Sequence, residues 1–274
     1  MSFTFDYVPI EQRCYQSTEG QFCTWPAADC FFGVPEDALY GRRPLKTIPS
    51  ETTGFHFYLG ADQQALIESF TESDFPAFTT ALHIGNSSYG FGKGRDYSGL
   101  TASLTQVDFP KLEILELGVW QLFSNSHCAY GQVGVVDALA PRMPRLKQLY
   151  IYGKCELCSP LSFPDLELLH VIVNDPITGI NGGALDSMTV SNILSSSFPK
   201  LQELYVDLEI DDGDVYYSVP DAIMTDDLFP NLTAFELAGT FHVGEKSRLI
   251  NSPTLRNKNI KLHLSEMVEA PREE

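Results

Sequence analysis

The segment FPKLEILELGVW, residues 109 to 120, sets Leu112, Leu115 and Leu117 at a spacing of three and then two. A helix repeats its apolar stripe every three to four residues, and a half-buried strand repeats it every two. The mixed spacing therefore predicts a bend that sends one leucine into the core, followed by a short strand that sends in two more. The pattern recurs with Leu146, Leu149 and Ile151, with Leu166, Leu169 and Val171, with Leu201, Leu204 and Val206, and with Leu232, Phe235 and Leu237. Looser copies are FPAFTTALHIG, where Phe78, Leu82 and Ile84 need one extra residue, and SPTLRNKNIKLHL, where Ile260 and Leu262 need about two. Each copy opens on a proline, at 76, 110, 144, 164, 199, 230 or 253. Proline fixes φ and lacks an amide donor, which suits the entry to a strand and forbids a helix through it.

The steps between these prolines vary from 20 to 35 residues, so a constant strand alternates with connections of different length. Helical spacing predicts helices in ADQQALIESF (61–70), SGLTASLTQV (98–107), ALDSMTVSNIL (184–194) and VPDAIMTDDLF, where Pro220 suits a first helical position. The 20-residue step from Pro144 to Pro164 is too short for a helix and predicts a turn. GFHFYLG (54–60) alternates Phe55, Phe57 and Leu59 and is expected to be the first strand of the stack.

The copies resemble the leucine-rich repeat pattern L-x-x-L-x-L-x-x-N/C-x-L over roughly residues 75 to 264. Trp120 stands where Asn or Cys is usual, with Leu122 closing the motif. Asn174 and Thr240 take that ninth position in two other copies, and Lys154 and Glu209 depart from it. The resemblance implies an α/β solenoid with a curved parallel sheet on its concave face and helices and turns on its convex face. Residues 1–53 are then an N-terminal cap, 54–264 the repeats and 265–274 a polar tail.

Strand parity identifies the residues on the concave face, because they alternate with the core leucines. Side by side they form a central column of His83, Glu116, Tyr150, His170, Tyr205 and Glu236, with Tyr58 at its N-terminal end. Flanking columns hold Ile114, Gln148, Tyr152, Leu168, Ile172, Glu203 and Asp207. Tyrosines and outward aliphatic residues beside carboxylates suit a protein-binding face, with Tyr150 and Tyr205 as anchors.

Charge selects the partner. The chain has 18 basic and 36 acidic residues in 274, a net charge of −18, which repels nucleic acid and anionic lipid and attracts a basic protein. No basic region precedes an apolar run at the start, and no apolar stretch reaches the roughly 18 residues of a membrane span, so a cytoplasmic protein is expected. Six cysteines stand at 14, 23, 30, 128, 155 and 158. The Cys155/Cys158 pair has no second pair at zinc-site spacing, so reduced, metal-free cysteines are expected. GFGKGRDYSG (90–99) lacks the spacing of a phosphate loop, and DLEIDDGDVYY (207–217) has Asp212 where a calcium loop needs glycine. The six histidines form no catalytic pattern; His127 beside Cys128 is too close along the chain for proton transfer. These features point away from an enzyme and a cofactor. The charge and the concave face suggest an acidic inhibitor, expected to be monomeric, that clamps a basic protein, and the resemblance permits a sharper version, an immunity protein that neutralises a bacterial toxin. The alternative is an adaptor or substrate receptor that recruits a protein to another complex.

Overall fold

Each clean copy opens on a tight turn with proline second. Leu112 donates its amide to the carbonyl of Phe109, Leu146 to Met143, Leu166 to Phe163, Leu201 to Phe198, Leu232 to Phe229 and Leu255 to Ser252, at 3.0–3.4 Å. Proline supplies the φ that the second position of such a turn requires. The residue before each of these prolines is buried while the proline itself is exposed. Phe109, Met143, Phe163, Phe198 and Phe229 therefore line the core beneath the turns, and Phe198 stacks on Phe229 at 5.9 Å.

After the turn one carbonyl of each copy accepts two amides from the next. Thr80 accepts from Glu113 and Ile114, Glu113 from Lys147 and Gln148, Lys147 from Glu167 and Leu168, Glu167 from Gln202 and Glu203, and Gln202 from Thr233 and Ala234. This forked contact fixes where each strand begins relative to its neighbour. The alternation of side chains is fixed with it.

The computed structural model describes residues 21–25, 52–59, 64–86, 95–118, 131–173, 184–208, 215–225, 227–256 and 258–267. The strands are β1 (Gln21–Trp25), β2 (Thr52–Leu59), β3 (Ala81–Asn86), β4 (Arg95–Asp96), β5 (Ile114–Leu117), β6 (Gly131–Val135), β7 (Gln148–Tyr152), β8 (Lys154–Glu156), β9 (Leu168–Ile172), β10 (Glu203–Asp207), β11 (Ala234–His242) and β12 (Asn259–Met267). Among the described residues the main sheet is open and nine-stranded, in the order β1-β2-β3-β5-β7-β9-β10-β11-β12, with every pair parallel. A small parallel sheet, β4-β6-β8, lies in the connections. Helices Gln64–Thr71, Ser98–Leu104, Ser187–Leu194, Ala222–Thr225 and Glu245–Asn251 make the chain an α/β protein. Between β7 and β9 there is no helix, only β8 and turns, as the 20-residue step predicts.

Two apolar columns run through the sheet in exact alternation with the outer face. One is Phe55, Leu82, Leu115, Leu149, Leu169, Leu204, Phe235 and Ile260; the other is Ile84, Leu117, Ile151, Val171, Val206, Leu237 and Leu262. They belong to one continuous core that reaches from Phe55 to Leu255.

The loosest copy differs from its sequence reading. Phe78 is 46% exposed, and Thr79 takes the position of the first leucine, fully buried, with its hydroxyl donating to the Phe75 carbonyl at 2.8 Å. The extra residue is absorbed in the 3₁₀ turn Phe75–Ala77, which pushes Phe78 outward. The stack also begins earlier than GFHFYLG: β2 is the second strand, because β1 pairs with it inside the segment read as a cap. At the other end β12 takes Ser265–Met267 from the segment read as tail, paired with Thr240, Phe241 and His242.

Candidate protein-interaction face

Parity sends residues 116, 150, 170, 205, 236 and 261 to the side of the sheet away from the core, with the backbone positions 56 and 83 in line with them. The register aligns them as His56, His83, Glu116, Tyr150, His170, Tyr205, Glu236 and Lys261. The expected central column is therefore in place from Glu116 to Glu236. Tyr58 is not at its end: it pairs with Gly85, two residues further along, and His56 takes the place beside His83. Alternation of Phe55, Phe57 and Leu59 sets parity alone, and without a Phe-Pro turn before it the offset is free. The side chains of His56, Tyr58 and His83 lie outside those described.

One flanking column is Ala81, Ile114, Gln148, Leu168, Glu203 and Ala234; the other runs through Tyr152, Ile172, Asp207, Ala238 and His263. Every flanking residue expected on this face is on it.

The aromatic side chains of the column pack edge to face along the sheet. The ring centroids of Tyr150 and His170 are 5.2 Å apart, those of His170 and Tyr205 are 5.4 Å apart, and Tyr152 stacks beside Tyr150 at 6.4 Å. Ala81, Ile114, Tyr150, Tyr152, Ile172 and Tyr205 form a second apolar cluster, separate from the core, with Leu168 against it. Tyr150 is only 4% exposed and Tyr205 only 3%. This departs from the expected exposed anchors: these rings are interior parts of the face. Their hydroxyls stay within it, Tyr150 donating to Gln148 Oε1 at 3.2 Å and Tyr205 to Asp207 Oδ2 at 3.4 Å.

The reachable chemistry is carried by the residues around the rings. His170 Nε2 lies 2.8 Å from Glu203 Oε1, and the Glu203 side chain is 47% exposed. Leu168 and Gln148 are half-buried. Glu236 contacts Lys261 Nζ at 3.3 Å and His263 Nε2 at 3.4 Å. Glu116 and Asp207 are buried carboxylates within the same face. Sequence reading missed Lys261, His263 and His56. The signal for the first two is the degenerate copy NIKLHL, whose alternation puts Lys261 and His263 outward once Ile260 and Leu262 face the core.

The opposite chemistry lies at the turn edge, where all the strands begin. Arg142 pairs with Asp108 at 2.8 Å, Lys147 with Glu113 at 3.0 Å, Lys200 with Asp165 at 2.5 Å, and Lys258 with Asp227 at 3.5 Å, each between neighbouring copies. Hydrogen bonding and attraction from Lys200 hold the Asp165 carboxyl below the usual range. Arg142, Lys147, Lys200 and Lys258 are thus held in pairs between copies at this edge.

Cys155 is buried in the core just past β7, and burial pushes its thiol up to about 12; Cys158, three residues on, is exposed. Both are free thiols. Among the described residues no group of three His, Cys, Asp or Glu side chains is placed to hold a metal ion. The pairs His127 and Cys128, residues 90–94 of the glycine-rich stretch, the acidic run 209–214, Trp120 and Asn174 lie outside the described residues. No described helix is long and apolar enough to cross a membrane.

No protein-family model matches this chain, and no curated protein matches it. Among solved structures, the crystal structure of a Bacteroides fragilis protein, a structural genomics target, is 21% identical to it with a TM-score of 0.49. The alignment covers 77% of this chain and 58% of that one, so this chain spans less than two thirds of that protein's length.

Proposed function

We propose that the chain is a leucine-rich repeat solenoid that works by binding rather than catalysis, as a cytoplasmic acidic inhibitor or immunity protein that neutralises a basic protein such as a toxin. The observation that carries this reading is the register of the outer face. Six strands hold Glu116, Tyr150, His170, Tyr205, Glu236 and Lys261 side by side, opposite an unbroken apolar column. Adjacent strands are about 5 Å apart, so one partner surface spans several of these residues at once.

The burial of the tyrosines divides the labour. The rings make the face stiff, and Glu203, Glu236, His170 and Leu168 present charge and apolar area at its surface. A stiff face loses little conformational freedom on binding, and its carboxylates, backed by a net charge of −18, steer a cationic partner.

The test is kinetic. With the partner isolated from the native cell, Glu203→Lys slows association several-fold, and the effect shrinks as salt shortens the Debye length to about 8 Å at physiological ionic strength. An association rate indifferent to both Glu203→Lys and salt removes the outer face from the account.

A further inference from the structure

His170 is the place on the outer face where one proton changes what the face presents. Its ring lies between those of Tyr150 on β7 and Tyr205 on β10, at 5.2 and 5.4 Å, and its side chain is 14% exposed. Nε2 turns to Glu203 Oε1 at 2.8 Å, and the Glu203 side chain, 47% exposed, carries that contact to the surface. On its own strand the outward neighbours are Leu168 and Ile172, which do not titrate. Phenols keep their protons at neutral pH, and imidazole is the side chain that ordinarily changes charge between pH 5 and 8.

Among the described residues every other charge near His170 on this face is negative. Glu203 and Asp207 stand on the adjoining β10, and Glu116 on β5 and Glu236 on β11 stand two strands away on either side. On β7 the outward residues are Gln148, Tyr150 and Tyr152, none of them charged at neutral pH. The first lysine or arginine in the outward columns is Lys261 on β12, three strands from β9. A proton on His170 therefore adds a cation where the neighbouring strands supply none, in direct contact with Glu203. With His170 neutral, Glu203 presents its negative charge to a cationic partner; with His170 protonated, that charge is countered within the chain. Proton and partner then compete for one carboxylate, and two ligands coupled in this way weaken each other reciprocally. His263 makes the weaker case, because its carboxylate, Glu236, already has Lys261 Nζ at 3.3 Å.

We propose that His170 makes binding at the outer face sensitive to pH, so that a cationic partner is held at neutral pH and loosened in mild acid. The proposal rests on the reading of this face as the one that binds a basic protein. The switch is the contact between His170 and Glu203, and the aromatic rings on either side hold the imidazole in place to make it.

The experiment titrates the full chain into a fluorescent octalysine peptide at pH 7.5 and pH 5.5, at one ionic strength. Lysine and ordinary carboxylates keep their charge over this range, so histidines are the groups that change. The wild type is expected to bind at least about threefold more weakly at pH 5.5, and His170→Gln to show about half that ratio or less, whatever its affinity at pH 7.5. The remaining histidines are common to both proteins, so the difference between the two ratios belongs to His170. Glu203→Gln, a change at a half-exposed side chain, should reduce the ratio in the same way and serves if His170→Gln does not fold. Equal ratios in the wild type and these variants, or tighter binding in acid, overturn the proposal; if Glu203→Lys still weakens the peptide at pH 7.5, the binding face survives that result. No binding by the wild type, or none lost on Glu203→Lys at pH 7.5, removes the face and the proposal together.

Discussion

His170 Nε2 sits 2.8 Å from Glu203 Oε1, across two neighbouring strands on the face turned away from the core. The contact links the aromatic column to a carboxylate that reaches solvent. Half-exposed side-chain contacts of this kind contribute roughly 0–1 kcal/mol. Glu203→Gln is therefore expected to leave the thermal midpoint nearly unchanged while weakening partner binding, a separation that calorimetry and binding on the same variant will check. A large loss of stability would make the pair structural instead.

Leu169 and Phe78 form a contrast that tests the register. Leu169 lies mid-column and fully buried, and Phe78 is pushed outward beneath Lys111, whose Nζ stands 5.5 Å from its ring centre. Leu169→Ala should cost about 2–5 kcal/mol through the cavity it leaves. Phe78→Ala should cost less than about 1 kcal/mol. Urea unfolding of both variants measures the difference, and a reversed order would contradict the assigned offset.

Gly118 closes β5 at φ +82°, and a Cβ placed there would lie 2.2 Å from the carbonyl oxygen of Tyr152. Neither backbone yields cheaply. Gly118→Ala is expected to destabilise by at least about 2 kcal/mol, the left-handed conformation accounting for some 1–2 kcal/mol of it. Gly244, at φ +91°, has open space where its Cβ would go, so Gly244→Ala carries only the backbone cost and should be the milder change.

The order of strands, the two core columns and the outer column from Glu116 to Glu236 were legible in the sequence. Leu-x-x-Leu-x-Leu after a proline turn fixes both parity and offset, as in the copies at Leu112 and Leu201. Where the turn is absent, at GFHFYLG, only parity survives, and the residue beside His83 is His56 in place of Tyr58. QFCTW offered neither signal, so β1 was hidden. Parity also says nothing of how tightly side chains on one face pack together. The near-complete burial of Tyr150 and Tyr205 comes from that packing, and no spacing rule reports it.

Asp186 caps the helix Ser187–Leu194, accepting from the Thr189 amide at 2.8 Å and the Thr189 hydroxyl at 2.9 Å. Burial raises its carboxyl, but the hydrogen bonds from Thr189 outweigh burial and hold it below its ordinary value of 3.8. A carboxyl lowered by folding stabilises the fold fully above that ordinary value, and the contribution fades as pH falls through the lowered one. Asp186→Ala should cost about 1 kcal/mol at neutral pH. Its penalty should shrink in acid, so that the stability curves of the two proteins converge below pH 4; parallel curves down to the acid limit would deny the cap its charge.

The two thiols of KCELC should part in reactivity. Thiolate is the nucleophile, and with Cys155 buried and its thiol pushed up to about 12, iodoacetamide at pH 8 should label Cys158 and spare Cys155 until the protein unfolds. Peptide mapping by mass spectrometry distinguishes them. Comparable labelling of both in the native protein would place Cys155 outside the core.

The most direct measurement of the binding face is site-specific photo-crosslinking in the native cell. A photoreactive amino acid replaces Glu203 in one variant and Met188, exposed on the helix Ser187–Leu194, in another. The account predicts a covalent adduct between the Glu203 variant and a protein of high isoelectric point, absent from the Met188 variant and lost when Glu236→Lys is added. An adduct formed only from Met188, or one from Glu203 with an acidic protein that survives Glu236→Lys, would contradict it.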